Sequence, residues 1–185
     1  GLSHQRARNP DGCRLHSLRL SRYKSTGHGI KLGEGSSAAR CAAYSSTGSG
    51  LSVAIACALA DCTAAFNSID GIRGTEGGTI SRCSVRSNGA FGIACGPDGT
   101  VLDCSSSENT GTGISGLGSV SILNCTASFN GNNGIFLGSG VVSGCHAVFN
   151  DANGISCTSG SLVRDNSCVS NGQGGAGAGI VASGG

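Results

Sequence analysis

ILNCTASFNGNNGIFLGSG, residues 122–140, decides how the rest of the chain is read. Its apolar and polar residues alternate with period 2, as in strands with one buried face. With the residue Val120 just before it, the stretch breaks into three strand segments. Val120 and Ile122 point in, with Ser121 out. Cys125 and Ala127 point in, with Thr126 out. Ile135 and Leu137 point in, with Phe136 out. Each segment is about three residues, too short for a helix. The links are Leu123-Asn124, residues 128–133, and Gly138-Ser139-Gly140.

The stretch recurs. A Gly followed by Ile or Leu stands at Gly29, Gly50, Gly71, Gly92, Gly113 and Gly134, each 21 residues after the last, then at Gly154 and Gly179. A Cys stands at Cys41, Cys62, Cys83, Cys104 and Cys125 with the same step, then at Cys145 after 20. Asn67, Asn88, Asn109 and Asn130 keep it too, followed by Asn150 and Asn171. Three columns in one register define an internal repeat. Short strands repeating every 21 residues, each paired with its equivalent one coil on at about 4.8 Å, make an all-β solenoid. Seven to eight such coils would form a rod of roughly 35–40 Å.

Composition agrees. The chain has 185 residues, 34 of them Gly, with 4% aromatics and 12% charged residues. Gly shows no three-residue period, so collagen is excluded. A disordered chain would carry more charge and less Val, Ile and Leu. Net charge is +2. Of the basic residues, Arg6, Arg8, Arg14, Arg19, Arg22, Lys24, Lys31 and Arg40 crowd the first 40 positions. Tyr23 is the one aromatic residue among them, so a nucleic-acid stacking platform is not expected. No apolar run reaches membrane-spanning length, so no membrane insertion is expected. The chain opens on Gly1 and stops in mid-pattern at Ser-Gly-Gly, and it reads as a segment of a longer protein.

The motif Asp103-Cys104, Asn109, Gly113-Ile114, repeated as Asn124-Cys125, Asn130, Gly134-Ile135, resembles the right-handed parallel β-helix repeat of pectate-lyase-like proteins. The resemblance covers about residues 27–182. It implies the right-handed coil sense, an extracellular or cell-surface setting and polysaccharide as the partner. Residues 1–26 read as a worn first coil or cap, with Leu20 in the Cys column and Tyr23 matching Tyr44; residues 27–185 carry the repeats.

The columns have structural readings. Buried Cys acts as a small hydrophobe, and Cys57, Cys95, Cys157 and Cys168 also fall at inward positions. Eleven Cys without CxxC do not suggest a metal site. Stacked Asn amides are expected to bond along the axis. Gly before Ile is expected to supply an unusual backbone angle for re-entry into a strand. Phe66, Phe129 and Phe149 share one column, expected to be a packed stack at the turn; Phe91 and Phe136 lie off it.

Function should sit in departures from the repeat. The residues before each Cys include Arg40, Asp61, Arg82 and Asp103. Asp61 and Asp103, two coils apart at about 9.6 Å, are catalytic candidates with Arg82 between them. The same residues also suit a plain ladder of surface ion pairs. His28, Lys31, Asp70 and Arg73 form a candidate binding cluster for an acidic sugar, since β-elimination and uronate binding both need charge neutralisation. Phe136, facing outward, is a candidate sugar contact. His146 lies outward between Thr126 and Ser167.

Gly27-His28-Gly29 with Asn9-Pro10-Asp11-Gly12 looks like part of the polygalacturonase signature. Its Asp-Asp pair is missing, and Gly-x-Gly recurs at Gly48-Ser49-Gly50, so no catalytic role is carried over. Gly96-Pro97-Asp98-Gly99 reads as a tight turn. Glu34, Glu76 and Asp98 share its edge, too sparse for the roughly 6–8 oxygens of calcium. No cofactor is expected. The expected function is a scaffold engaging polysaccharide on its side. The alternatives are a lyase, epimerase or hydrolase acting on uronate polysaccharide, and a structural or adhesive stalk.

Overall fold

The computed structural model describes residues 20–175 and 177–183. Asn9, Pro10, Asp11 and Gly12, with all of the expected cap before Leu20, lie outside the described residues.

The chain winds as a parallel β-solenoid of about eight turns, with strands meeting their equivalents one coil on. One face runs from Ser21–Tyr23 through Ala42–Tyr44, Thr63–Ala65, Ser84–Arg86, Ser105–Ser107, Thr126–Ser128 and His146–Val148 to Ser167–Val169. We call it the Cys face, because each Cys of the column immediately precedes its strand. Tyr23 lies opposite Tyr44 in this ladder. The Gly-Ile face holds Ile30–Leu32, Leu51–Val53, Ile72–Gly74 and Ile93–Cys95, and ends with Ile155–Thr158 and Ile180–Ser183. The middle face holds Ser37–Ala39, Ala58–Ala60, Thr79–Ser81, Thr100–Leu102 and Ser161–Arg164.

Two coils depart from three separate strands. Ile114–Leu123 and Ile135–Ser143 run on through the corner between the Gly-Ile and middle faces and join them into one thirteen-stranded sheet. A bulge falls there: Gly116 pairs with Leu137, but Ser119 pairs with Ser139. The lower coil thus has one residue more than the upper, which is why the 21-residue step becomes 20 after Ile135.

The core is a set of coaxial columns. Ile72, Ile93, Ile114, Ile135 and Ile155 are all fully buried, as are Val101, Ile122 and Val142 from the middle face. Full burial of each such side chain contributes about 1.5–3 kcal/mol. The Cys face contributes small residues to the interior, Ala43, Ala64, Val85, Ser106, Ala127 and Ala147. Inter-coil hydrogen bonds continue through the corners, as in Phe66 N–H to Arg86 O at 3.2 Å and Ile72 N–H to Gly92 O at 2.9 Å. The backbone therefore stays paired where the strands stop.

All three corners use left-handed residues, the one between the Gly-Ile and middle faces at Gly35, Ala56, Gly77, Asp98 and Gly160. Before the Cys column, Arg40, Asp61, Arg82, Asp103, Asn124, Gly144 and Asp165 all have positive φ, between 49° and 66°. Before the Asn column, so do Lys24, Ser45, Phe66, Ser87, Glu108, Phe129, Phe149 and Ser170, between 50° and 58°. Asn, Asp and Gly adopt this conformation readily; Arg and Phe do not.

The glycines before Ile do something other than expected. None of Gly29, Gly50, Gly71, Gly92, Gly113, Gly134 or Gly154 has a positive φ. They are glycine because the next coil fills the space, with its amide ladder and glycine carbonyls from Gly50 onward and with Ser46 Oγ and the Gly50 carbonyl at Gly29. A Cβ at Gly50, Gly92, Gly113, Gly134 or Gly154 would lie 2.6 Å from the Nδ2 of Asn67, Asn109, Asn130, Asn150 or Asn171 respectively.

The amide ladder itself is continuous. Asn67, Asn88, Asn109 and Asn130 each donate Nδ2–H to the Oδ1 of the next Asn, at 2.9–3.0 Å, and Asn150 donates to Asn171 at 2.8 Å. Each Oδ1 also accepts the backbone N–H of the preceding rung, as from Asn88 to Asn109 at 3.0 Å. Buried amides so paired cost nothing in lost hydrogen bonds.

The thiol column is buried beside it. Cys62, Cys83, Cys104, Cys125 and Cys145 are at most 3% exposed and are free thiols. Sγ of Cys104 accepts the Cys83 N–H, and Sγ of Cys145 accepts that of Cys125, both at 3.4 Å. Hydrogen bonds to the thiols on both sides push Cys83 and Cys125 up. Burial pushes Cys95 up to about 11. The column ends at Asn166, whose Oδ1 takes over by accepting the Cys145 N–H at 2.8 Å. Cys57, Cys95 and Cys157 are buried as expected, and Cys168 is half-buried.

Candidate functional site

The outward side of the Gly-Ile face forms one row by register: Lys31, Ser52, Arg73, Ala94, Ser115, Phe136 and Ser156. Lys31 and Arg73 are therefore two coils apart, about 9.6 Å. Arg73 and Phe136 are three coils apart, about 14 Å. Phe136 is half-buried rather than fully outward, and Ser115 below it is only 4% exposed.

The corner leading into this face carries a second row: His28, Ser49, Asp70, Phe91 and Thr112. It contains the least repeat-like residue of the region. Asp70 is 1% exposed. Its Oδ1 accepts the Phe91 N–H at 3.2 Å, and its Oδ2 accepts Arg73 Nη1–H at 3.0 Å. A buried carboxylate needs such partners. Its effect is to fix the Arg73 guanidinium on the face while leaving the side chain 58% exposed. A positioned guanidinium with donors toward solvent suits a planar oxyanion such as a carboxylate.

His28 is exposed, and its Nδ1 accepts the Ser49 N–H at 3.1 Å. That bond leaves Nε2 as the proton-bearing nitrogen of the neutral ring. Ser49 stands between His28 and Asp70, with its hydroxyl buried and without a hydrogen-bond partner among the described residues. The order along the axis is His, Ser, Asp. A nucleophilic relay needs His in the middle. These three residues do not form one.

The other candidate cluster lies on the corner before the Cys column. Arg82 binds Asp61 with both prongs, Nε to Oδ1 at 2.7 Å and Nη2 to Oδ2 at 3.1 Å. This hydrogen-bonded pairing holds the Asp61 carboxyl below its usual range and pushes Arg82 up. Asp103 lies on the other side of Arg82 and adds a through-space attraction. The structure thus brings Asp61, Arg82 and Asp103 together as an alternating exposed ladder. Asp61 is occupied by its partner.

His146 is exposed, between Thr126 and Ser167 in its ladder. Glu34, Glu76 and Asp98 lie on the corner between the Gly-Ile and middle faces, all exposed. Among the described residues, no group of three or more His, Cys, Asp or Glu could hold a metal ion. No helix among them is long and apolar enough to cross a membrane.

Sequence reasoning missed three things. A second amide ladder forms in the Asp70 row, where Asn153 donates N–H and Nδ2–H to Asn133 Oδ1 at 3.1 and 3.0 Å. The 20-residue step from Asn133 to Asn153 was a visible signal. The burial of Asp70 had no signal, because its column holds a different residue type in almost every coil. The Phe column is not a closed stack: Phe129 and Phe149 stack at 5.2 Å, but Phe66 is 53%, Phe129 59% and Phe149 42% exposed.

A family model described as a right-handed beta helix region matches residues 11–185. No curated protein matches the chain. Among solved structures, the A-module of an Azotobacter vinelandii mannuronan C-5 epimerase is similar at a TM-score of 0.66 and 17% identity, over 76% of this chain and 42% of that one. A pectate lyase is similar at a TM-score of 0.57 and 16% identity, over 72% of this chain and 46% of that one. The chain spans less than half the length of either. At these identities the likeness is one of fold.

Proposed function

The chain belongs to the right-handed beta helix family, and on that premise we propose that it is a repeat scaffold that binds acidic polysaccharide on its Gly-Ile face. Its setting in this reading is extracellular or at a cell surface. The observation that carries the reading is the buried Asp70 carboxylate, which holds Arg73 out on the face. Lys31, two coils away in the same row, adds a second cation, and Phe136 offers part of a ring. A uronate chain laid along the row would meet Arg73 as a carboxylate receptor, with Lys31 as a weaker outlying charge. Charge-assisted hydrogen bonds of this kind contribute about 1.5–3 kcal/mol each. The two similar structures are described as an epimerase of mannuronan and a lyase of pectate, both acting on acidic polysaccharides.

The competing reading is an enzyme of that kind. Such a reaction needs a free base near the acidic carbon. The acidic side chain that contacts Arg73 is Asp70, which is buried and ion-paired. On the other corner Asp61 is engaged by Arg82. The binding reading is therefore the better supported for this segment.

Calorimetric titration with oligomannuronate and oligogalacturonate, against a neutral glucan, tests it. Binding of the acidic chains alone is expected, weakened about tenfold or more in Arg73→Ala and falling with added salt. Equal binding of the neutral glucan would overturn it. Release of unsaturated ends or new reducing ends would replace it with the enzyme reading.

A further inference from the structure

The corner between the Cys face and the Gly-Ile face gathers a set of exposed apolar side chains. Phe66, Ile69, Phe91, Phe129 and Phe149 all lie on it, at 38–59% exposure, with Tyr23 and Val169 at its edge. Three of these aromatics hold a left-handed backbone, with φ of 58° at Phe66, 55° at Phe129 and 54° at Phe149. In the other coils the same position takes Lys24, Ser45, Ser87, Glu108 and Ser170. A bulky ring in that conformation, exposed to water, is a strained choice that the turn itself does not require. Exposed apolar side chains gathered on one corner, with polar residues between them, mark an interaction site.

Charge decides the partner. Along this corner the exposed charges near the start of the chain are basic, Lys24 and Arg86, and Arg86 lies over the Phe66 ring at 5.3 Å. Those farther on are acidic, Glu108 and Asp151. Asp70 is the exception in sequence only, since it is buried and paired with Arg73. A ridge that runs from positive to negative is complementary to itself when reversed.

We propose that this ridge is the interface of an antiparallel two-fold dimer of the chain. Placing the two-fold axis midway between the coils of Ser87 and Glu108 sets Phe66 of one copy against Phe129 of the second. It also brings Arg86 of each copy to Glu108 of the other. The interface is isologous, so each such contact occurs twice. Aromatic and Arg residues are the types that such interfaces favour.

The arrangement has a geometric consequence. Two rods joined at this corner by an axis perpendicular to their length carry their Gly-Ile faces on the same side. A parallel pairing would put them on opposite sides. The antiparallel dimer thus doubles the width of one platform, and two rows bound by one long polymer gain avidity. The dimer itself rests on the ridge and not on the polysaccharide reading.

Sedimentation velocity over a concentration series of the 185-residue chain tests the proposal. A dimer is expected with a dissociation constant of roughly 1–100 µM, as fits a narrow interface. Phe129→Ala weakens it about tenfold or more. Glu108→Arg and Arg86→Glu each do the same, and the two substitutions together restore it to within about threefold of the starting value. Far-UV circular dichroism establishes that each variant keeps its strands; a variant that does not is replaced by Phe149→Ser, with the same expectation. A chain that stays monomeric at every concentration overturns the proposal. So does a dimer indifferent to all these changes, or one that the charge swap fails to restore. A monomer that loses oligosaccharide binding on Phe129→Ala also overturns it and gives the ridge to sugar.

Discussion

The coils from Asn67 to Asn171 and the two coils before them close the same corner with different chemistry. In the later coils the turn is tied to its neighbours by Asn side chains that each give and take along the axis. In the earlier coils the position is Ser25 and Ser46. The Ser25 hydroxyl donates within its own turn, to His28 O at 3.0 Å. Ser46 takes part in the ladder through its backbone N–H, which donates to Asn67 Oδ1 at 3.0 Å, while its buried hydroxyl has no partner among the described residues. The unusual side chains His28, Lys31, Asp70 and Arg73 all occur where the ladder is absent or just beginning. Regular rungs hold the rod together, and the candidate site occupies the stretch least committed to them.

The strongest way to break this contrast is to cut the ladder in its middle. Asn109→Ala would leave the Asn88 backbone N–H without its acceptor, and would remove the ladder bonds from Asn88 Nδ2 and to Asn130 Oδ1, leaving Asn88 Nδ2 with the Ala64 and Arg86 carbonyls. One orphaned buried donor and the ladder bonds lost on either side cost about 2–5 kcal/mol together. Denaturant unfolding of the whole chain should show this loss. A shift under about 1 kcal/mol would mean that the ladder is not what holds the corner.

A smaller effect tests why glycine precedes Ile. In Gly113→Ala the new Cβ would lie 2.6 Å from both Asn130 Nδ2 and the Gly134 carbonyl. Overpacking of that kind costs about 1–3 kcal/mol. Gly33→Ala, on the opposite corner, meets nothing within 4 Å and has no positive φ. It should be neutral or slightly stabilising. Equal losses at both positions in denaturant unfolding would return the explanation to backbone angle.

These cases also show what was readable. Period, strand count, the thiol column and the amide ladder were legible because stacking forces equivalent residues into equivalent environments, so one physical demand is written into the sequence several times. Gly113 was read correctly as required and wrongly as to why, because a missing side chain looks the same whether the backbone or a neighbour demands it. The bulge between Gly116 and Ser119 was visible as a 20-residue step, but its place in the coil was not. Asp70 was visible as a charge, yet its burial depends on Arg73 and the Phe91 N–H, which a column of unlike residues does not announce. Site residues are departures from the repeat, so the repeat cannot predict what they touch.

The finest test extends the ladder into the earlier coils. Gly29 is already glycine, standing to Ser46 as Gly50 stands to Asn67, and a Cβ there would meet Ser46 Oγ at 2.7 Å. The space for an amide is thus prepared on the coil below. Ser46→Asn places a donor where Asn67 Oδ1 can accept it and removes an unpartnered buried hydroxyl. The gain should be about 1 kcal/mol, the size of one net hydrogen bond. Amide hydrogen exchange should slow in the first coils and stay unchanged beyond Asn88, since coils of a solenoid interact mainly with their neighbours. If polysaccharide binding through Arg73 survives this stiffening, the weaker corner is incidental to the site; if binding drops as stability rises, the break in the ladder is part of how the face receives its ligand.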